Sequence, residues 1–322
     1  MNSAMMTVVA WLIGSAVNGS AAGQKDTTMV TQTSPAATAV KDGIVLLYES
    51  TSGRPMGEGI NEWQSKLRLD RNSEIGWFEV IRSSSDGAGE PIGTFEAPLD
   101  DAVFQQVQKL VDSSRLDRLP KPSGGGPGVS LFTLDYTRGD HKIHKSFPSR
   151  DFEALKQTEE LLAELNKIGA LLREHPRSAL RVTVAHVPGQ ADGYFAVTLV
   201  NIGVQRLAIA DPRVFGKDEK DRWVGVQIAE LPVEKPGTTS PPLQWSRHGA
   251  APSKATVAPP GPIVLEPGGK TAINTVPWKA PKRGVRYIVQ GIWCDYMGPS
   301  TLDGAYHVRG AAFSESVEID IR

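Results

Sequence analysis

Few side chains in this 322-residue chain are arranged to do chemistry. His141-Lys-Ile-His144 is the only paired-histidine motif. A helical zinc site uses histidines four apart with a glutamate beside the first, and this spacing is three. On a strand, residues three apart point to opposite faces, so the two rings could not easily share a metal. The expected reading is two surface histidines on a basic hairpin with Lys142 and Lys145. The only cysteine, Cys294, sits in an apolar strand pattern, residues 287–296. A reactive thiol wants a neighbouring base or a helix N-terminus. Its nearest titrating neighbour, Asp295, would raise a thiol pKa, so a small buried hydrophobe is expected.

Other motifs fall short in similar ways. The glycine-rich stretch 123–128 is not followed by Lys-Ser/Thr and opens no helix, so it reads as a connection rather than a phosphate loop. Asp218-Glu-Lys-Asp221 lacks the alternating oxygen ligands and closing glutamate of a calcium loop. No Gly-x-Ser-x-Gly elbow occurs, and Ser253 is followed directly by Lys254 rather than by a lysine three residues on. Arg138-Gly139-Asp140 is an adhesion-type tripeptide, but Gly and Asp are also what a hairpin turn uses. Asp295 and Asp303, with Trp293 and Tyr296, flank one end of a sheet, where acidic and aromatic residues together can hold a sugar. No catalytic, metal or cofactor residue is assigned, and the chain is expected not to be an enzyme.

One segment points to recognition. Residues 231–262 hold eight prolines, with Trp245, Arg247 and His248 among them. Such a run makes neither a helix nor a central strand and should lie extended on the surface. Trp245, Arg247 and His248 are the candidate partner-binding residues, because exposed tryptophan and arginine anchor many interfaces.

Composition sets the class. Lys plus Arg number 35 against 36 Asp plus Glu, a net charge of −1, without the basic excess of nucleic-acid binders. The 32 Gly and 23 Pro favour turns and β structure over long helices. Residues 8–17 (VVAWLIGSAV) form an apolar run too short to span a bilayer. They fit the centre of a signal peptide with cleavage after Ala22, although no Lys or Arg precedes them. Residues 23–42 are polar and aperiodic, a disordered linker after cleavage. Export to the periplasm or the outside follows, with no integral span in the mature chain.

Two folded units are expected. Residues 43–175 should form an α+β domain, an antiparallel sheet with two helices on one face. Its strand candidates are 44–48, 67–71, 77–82, 129–136 and 142–147. Its helices are 101–114, with Asp100 as N-cap, and 151–173, closed by Pro176. Residues 179–322 alternate as short strands at 180–187, 194–200, 271–277, 286–293 and 316–321, an all-β sandwich.

The second unit carries a resemblance. Residues 197–203 (VTLVNIG), 265–269 (LEPGG) and 284–293 (GVRYIVQGIW) are similar to motifs of bacterial extracytoplasmic immunoglobulin-like domains. That resemblance implies an immunoglobulin-like sandwich over about 179–322 and says little of activity. By its element order and the start at residues 67–71, the first unit loosely resembles emfourin-type metalloprotease inhibitors. The expected function is therefore an exported, non-enzymatic binding protein of the envelope or secreted fraction, its partner a protein or envelope component. The alternative is inhibition of a secreted metalloprotease by the first unit.

Overall fold

Alternating apolar residues and Gly/Pro turns produce a mostly β chain with two α-helices among the described residues. The computed structural model describes residues 44–51, 63–83, 89–119, 131–189, 192–211, 222–232, 243–251, 261–296, 301–302 and 304–321. The leader, the linker, the glycine-rich stretch, the charged turn at 218–221, Ser253 and Asp303 lie outside them.

Four antiparallel strands open the fold: β1 (Ile44–Thr51), β2 (Trp63–Asp70), β3 (Ile75–Val80) and β4 (Ile92–Pro98). Helix α1 (Asp101–Ser114) follows, then the hairpin β5 (Leu131–Arg138) and β6 (His141–Pro148), and helix α2 (Phe152–Leu172). The helices begin where the sequence predicts. Asp100 holds the N-cap position of α1 without a side-chain cap bond. Asp101, in the first turn, accepts from Arg71 Nε at 2.7 Å. In α2 the Asp151 carboxylate caps the Ala154 amide at 3.0 Å. Both helices cover one face of this sheet, burying Phe104, Val107, Leu162, Leu165 and Ile168 against Leu67, Leu69 and Phe95.

Pro176 begins β7 (Pro176–Val187) rather than merely closing α2, at a first-residue position where its missing N–H is tolerated. β7 pairs with β8 (Tyr194–Asn201), and β8 with β13 (Lys270–Asn274). Strand β4 was not anticipated from sequence, and it joins the two halves. Its ladder to β7 completes a nine-stranded sheet in the order β13-β8-β7-β4-β3-β2-β1-β5-β6. The sheet thus crosses from residues 43–175 into residues 179–322.

A second sheet contains β11 (Ser246–Gly249), β10 (Arg222–Glu230), β14 (Val285–Asp295) and β17 (Gly310–Ile321). It lies over β7 and β8. Val224, Val226, Val289 and Trp293 meet Val182, Phe195, Val197 and Leu199 in its buried interior. A third, small sheet holds β12 (Ile263–Leu265), β9 (Leu207–Ile209), β16 (Ala305–His307) and β15 (Thr301–Leu302). Strands β9, β12, β15 and β16 are too short to show a period of two, so the alternation test passes over them.

The covering changes sides along the long sheet. Phe95 and Leu67 face the helices, whereas Leu180 and Val182 share their side with Thr94, on the opposite face. The crossover is a bulge between Thr94 and Phe95. Beside it, Gly93 adopts φ +122°, and a Cβ there would stand 2.1 Å from the Ser178 carbonyl oxygen. Gly93→Ala should therefore lower the unfolding free energy by about 3 kcal/mol or more in a urea titration. Gly139→Ala, at a hairpin turn with nothing within 4 Å, should cost only about 1 kcal/mol.

Candidate functional site

The partner-binding candidates lie on and beside an edge strand. Most prolines of 231–262 fall outside the described residues, but Ser246–Gly249 between them is β11. It pairs with β10 in the register Gly225↔Gly249, Val226↔His248, Gln227↔Arg247 and Ile228↔Ser246. The expected loop is thus in part a strand, because residues 243–251 are free of proline and can donate to a ladder. Its other end is tied to β13: Val276 N donates to Gly249 O at 3.1 Å and Ala251 N to Asn274 O at 2.8 Å.

Period two separates the three candidates. Arg247 falls on the outer face with Trp223 and Gly225. The Trp223 indole lies against the glycines: a Cβ on Gly225 would meet its Cζ2 at 2.9 Å, and one on Gly249 its Nε1 at 3.6 Å. The Arg247 guanidinium carbon stands 5.5 Å from the Trp223 ring centroid. A half-exposed cation–π contact of this kind contributes about 0.5–1 kcal/mol. Trp245, two residues earlier, is exposed at 39%.

His248 faces the interior and packs edge-on against Trp278 at 6.5 Å. Trp278 is buried amid Phe195, His186 and Tyr287. Trp245 and Arg247 therefore reach solvent, while His248 anchors their strand to an aromatic cluster. Trp223 is not among the candidates read from sequence. The signal that could have singled it out is a pair of glycines, at 225 and 249, that leave room for an indole.

The other chemically suggestive residues serve the fold. His141 and His144 lie on opposite faces of β6: the His141 ring meets Tyr136, and His144 Nδ1 lies 2.6 Å from Asp135 Oδ1. Cys294 is buried. Trp293 and Asp295 are both fully buried, so they present no sugar-binding surface. Asp295 accepts from Arg222 Nε at 3.1 Å and faces His307 Nε2 at 3.4 Å, linking the second sheet to the third. Among the described residues no group of three or more His, Cys, Asp and Glu is placed to hold a metal.

One buried acid spans the two halves. Tyr306 of β16 donates to Glu79 Oε1 of β3 at 2.7 Å. Burial pushes the Glu79 carboxyl above its usual range, against the opposing pull of the Tyr306 hydrogen bond, Arg309 and Lys66. Burial, with the Glu79 charge, also pushes the Tyr306 phenol up.

No family model and no curated protein matches this chain. The reading of the site therefore rests on its geometry.

Two pH effects follow. Burial pushes the His248 imidazole below its usual range. A depressed folded value means that stability is present above the ordinary imidazole range and is lost as pH falls. Between about pH 7.5 and pH 5.5, the fall in thermal midpoint should be smaller in His248→Gln than in the parent. Glu79 has the opposite sign. Its raised folded value makes stability full below the ordinary carboxyl range and lost as pH rises through the folded value. Glu79→Gln keeps an acceptor for Tyr306 and removes the charge. Its midpoint should rise by roughly 2–4 °C near neutral pH and be unchanged near pH 4.

Proposed function

We propose that this is an exported, non-enzymatic binding protein that docks a protein or envelope component through Trp245 and Arg247. The observation that carries this reading is the Trp245–Arg247–Trp223 surface. A solvent-facing indole sits two residues from an arginine already held over a second indole, on a strand bonded to β10 and tied at its end to β13. Side chains ordered before binding lose less entropy on association, so affinity rises without added area. Tryptophan and arginine are also the residue types that dominate interface energetics.

Export is supported by the apolar run at 8–17 and the small residues up to Ala22, a pattern of cleaved leaders. The polar stretch 23–42 would then hold the folded part away from a membrane or wall. Among the described residues no helix is long and apolar enough to cross a membrane. The change of covered face at β4–β7 is read as the junction between a first, helix-covered unit and a second, immunoglobulin-like unit. The motif strands at 197–203 and 284–293 support that second assignment, since they form β8 and β14 of the facing sheets.

The test is capture of an envelope component by the full chain and by Trp245→Ala. The variant should lose at least tenfold in affinity, about 1.4 kcal/mol, with its thermal midpoint unchanged. Equal capture by both proteins would remove Trp245 from the interface.

A further inference from the structure

Among the described residues, the sheet face opposite the helices leaves Arg68 exposed and Lys66, Asp70, Ile75 and Trp77 half-buried, with Glu79 buried beside them. Lys66, Arg68 and Asp70 of β2 point to this face, with Ile75, Trp77 and Glu79 of β3 beside them. The register sets Arg68 opposite Trp77, Lys66 opposite Glu79 and Asp70 opposite Ile75. Lys66, Arg68, Asp70, Ser73, Ile75 and Trp77 line a concavity of about 330 Å³. That is the small end of the range for ligand sites. On the same face, Glu79 of β3 makes the buried contact to Tyr306, where the third sheet meets the long one.

We propose that this concavity binds an acidic saccharide, a hexuronate residue of a glycan. Three chemistries lie in line along the hairpin, and such a sugar carries the complement of each. The half-buried Trp77 indole and Ile75 offer an apolar platform for the C–H face of a pyranose ring. Arg68, whose side chain is 57% exposed, presents its guanidinium beside that platform and can take a carboxylate in two parallel hydrogen bonds. Lys66 adds positive charge at the same end. At the turn end, Asp70 accepts from the Asn72 amide at 3.1 Å, and the Ser73 hydroxyl donates to the Asp70 carbonyl at 3.4 Å. The remaining lone pairs of that carboxylate and hydroxyl suit sugar hydroxyls.

Charge excludes the nearest rivals. Asp70 lies 3.7 Å from Arg68, and Glu79 stands beside Lys66, so the local excess of positive charge is small. A polyphosphate backbone would be repelled by these carboxylates, whereas a singly charged ring is matched. An uncharged sugar would leave the exposed Arg68 fork unused. Elsewhere on this face Glu96 is paired with Arg177 and Asp135 with His144. The site is distinct from the Trp245–Arg247 surface and does not rest on that reading.

The test is calorimetric titration of the purified full chain with tetragalacturonate, and with cellotetraose as the neutral counterpart. Saturable binding of the acidic oligosaccharide is expected, with Kd below about 1 mM. Trp77→Ala should weaken it at least tenfold. Arg68→Gln, at an exposed position that the fold tolerates, should bring acidic and neutral affinities within about twofold of each other. Trp245→Ala should leave both unchanged. The proposal is overturned if tetragalacturonate does not saturate by about 10 mM, if cellotetraose binds as tightly to the parent, or if Arg68→Gln leaves the acidic affinity intact.

Discussion

The ladder between β4 and β7 is the constraint on which the rest of the molecule depends. It forces one hydrogen-bonded sheet to bury opposite faces in its two halves. The strand at the join must accept packing on both sides, and β4 is buried along nearly its whole length. Both conditions meet where backbone passes close to backbone. Gly93 approaches the Ser178 carbonyl, and the bulge at Thr94 re-aims the residues that follow. A second tie runs parallel to this one. Ser83 N bonds Ala311 O and Ala311 N bonds Ile81 O, so the chain after β3 is laced to β17. Gly310 permits that approach, since a Cβ there would lie 1.8 Å from the Ile81 oxygen.

Both candidate surfaces are products of this arrangement. Because the helices cover one face of β2–β3 and the second sheet lies over β7 and β8, a partly exposed strip of polar sheet remains among the described residues. That strip carries Arg68 and Trp77. The Glu79–Tyr306 bond closes the corner, and a carboxylate is tolerated there because a phenol hydroxyl satisfies it. In the second sheet, β11 is held between β10 and the end of β13. The outward residues of so short a strand are thereby fixed in direction, which orders Arg247 over Trp223.

Buried polar side chains elsewhere are spent on tying strands together. Asn201 donates to the carbonyls of Gln205 and Leu265 and accepts from Gly203 N, which pins β8 to the loops around the third sheet. Gln227 donates to Gln290, and Gln290 to Ser314 O, across three adjacent strands. Thr275 accepts from Phe195 N at the β11–β13 corner. These groups are satisfied within the protein, so they specify register rather than reactivity.

Local pattern alone determined both helices, the hairpins β2–β3 and β5–β6, and strands β1, β7, β8, β13, β14 and β17. Most show a period of 3.6 or 2, β1 is a short apolar run, and such signals depend only on neighbours in the chain. It also marked Trp245 as exposed, because proline on either side denies that segment a place in the core. Tertiary structure alone decided three further things. It made β4 a central strand, since a residue run buried on both faces has no alternation to read. It placed Trp223 and Arg247 together across a glycine pair, and His248 inward, because cross-strand register is set by partners far away in sequence. It left the Arg68–Trp77 face open, because which side of a strand is covered depends on where the second sheet lands, and no local period encodes that.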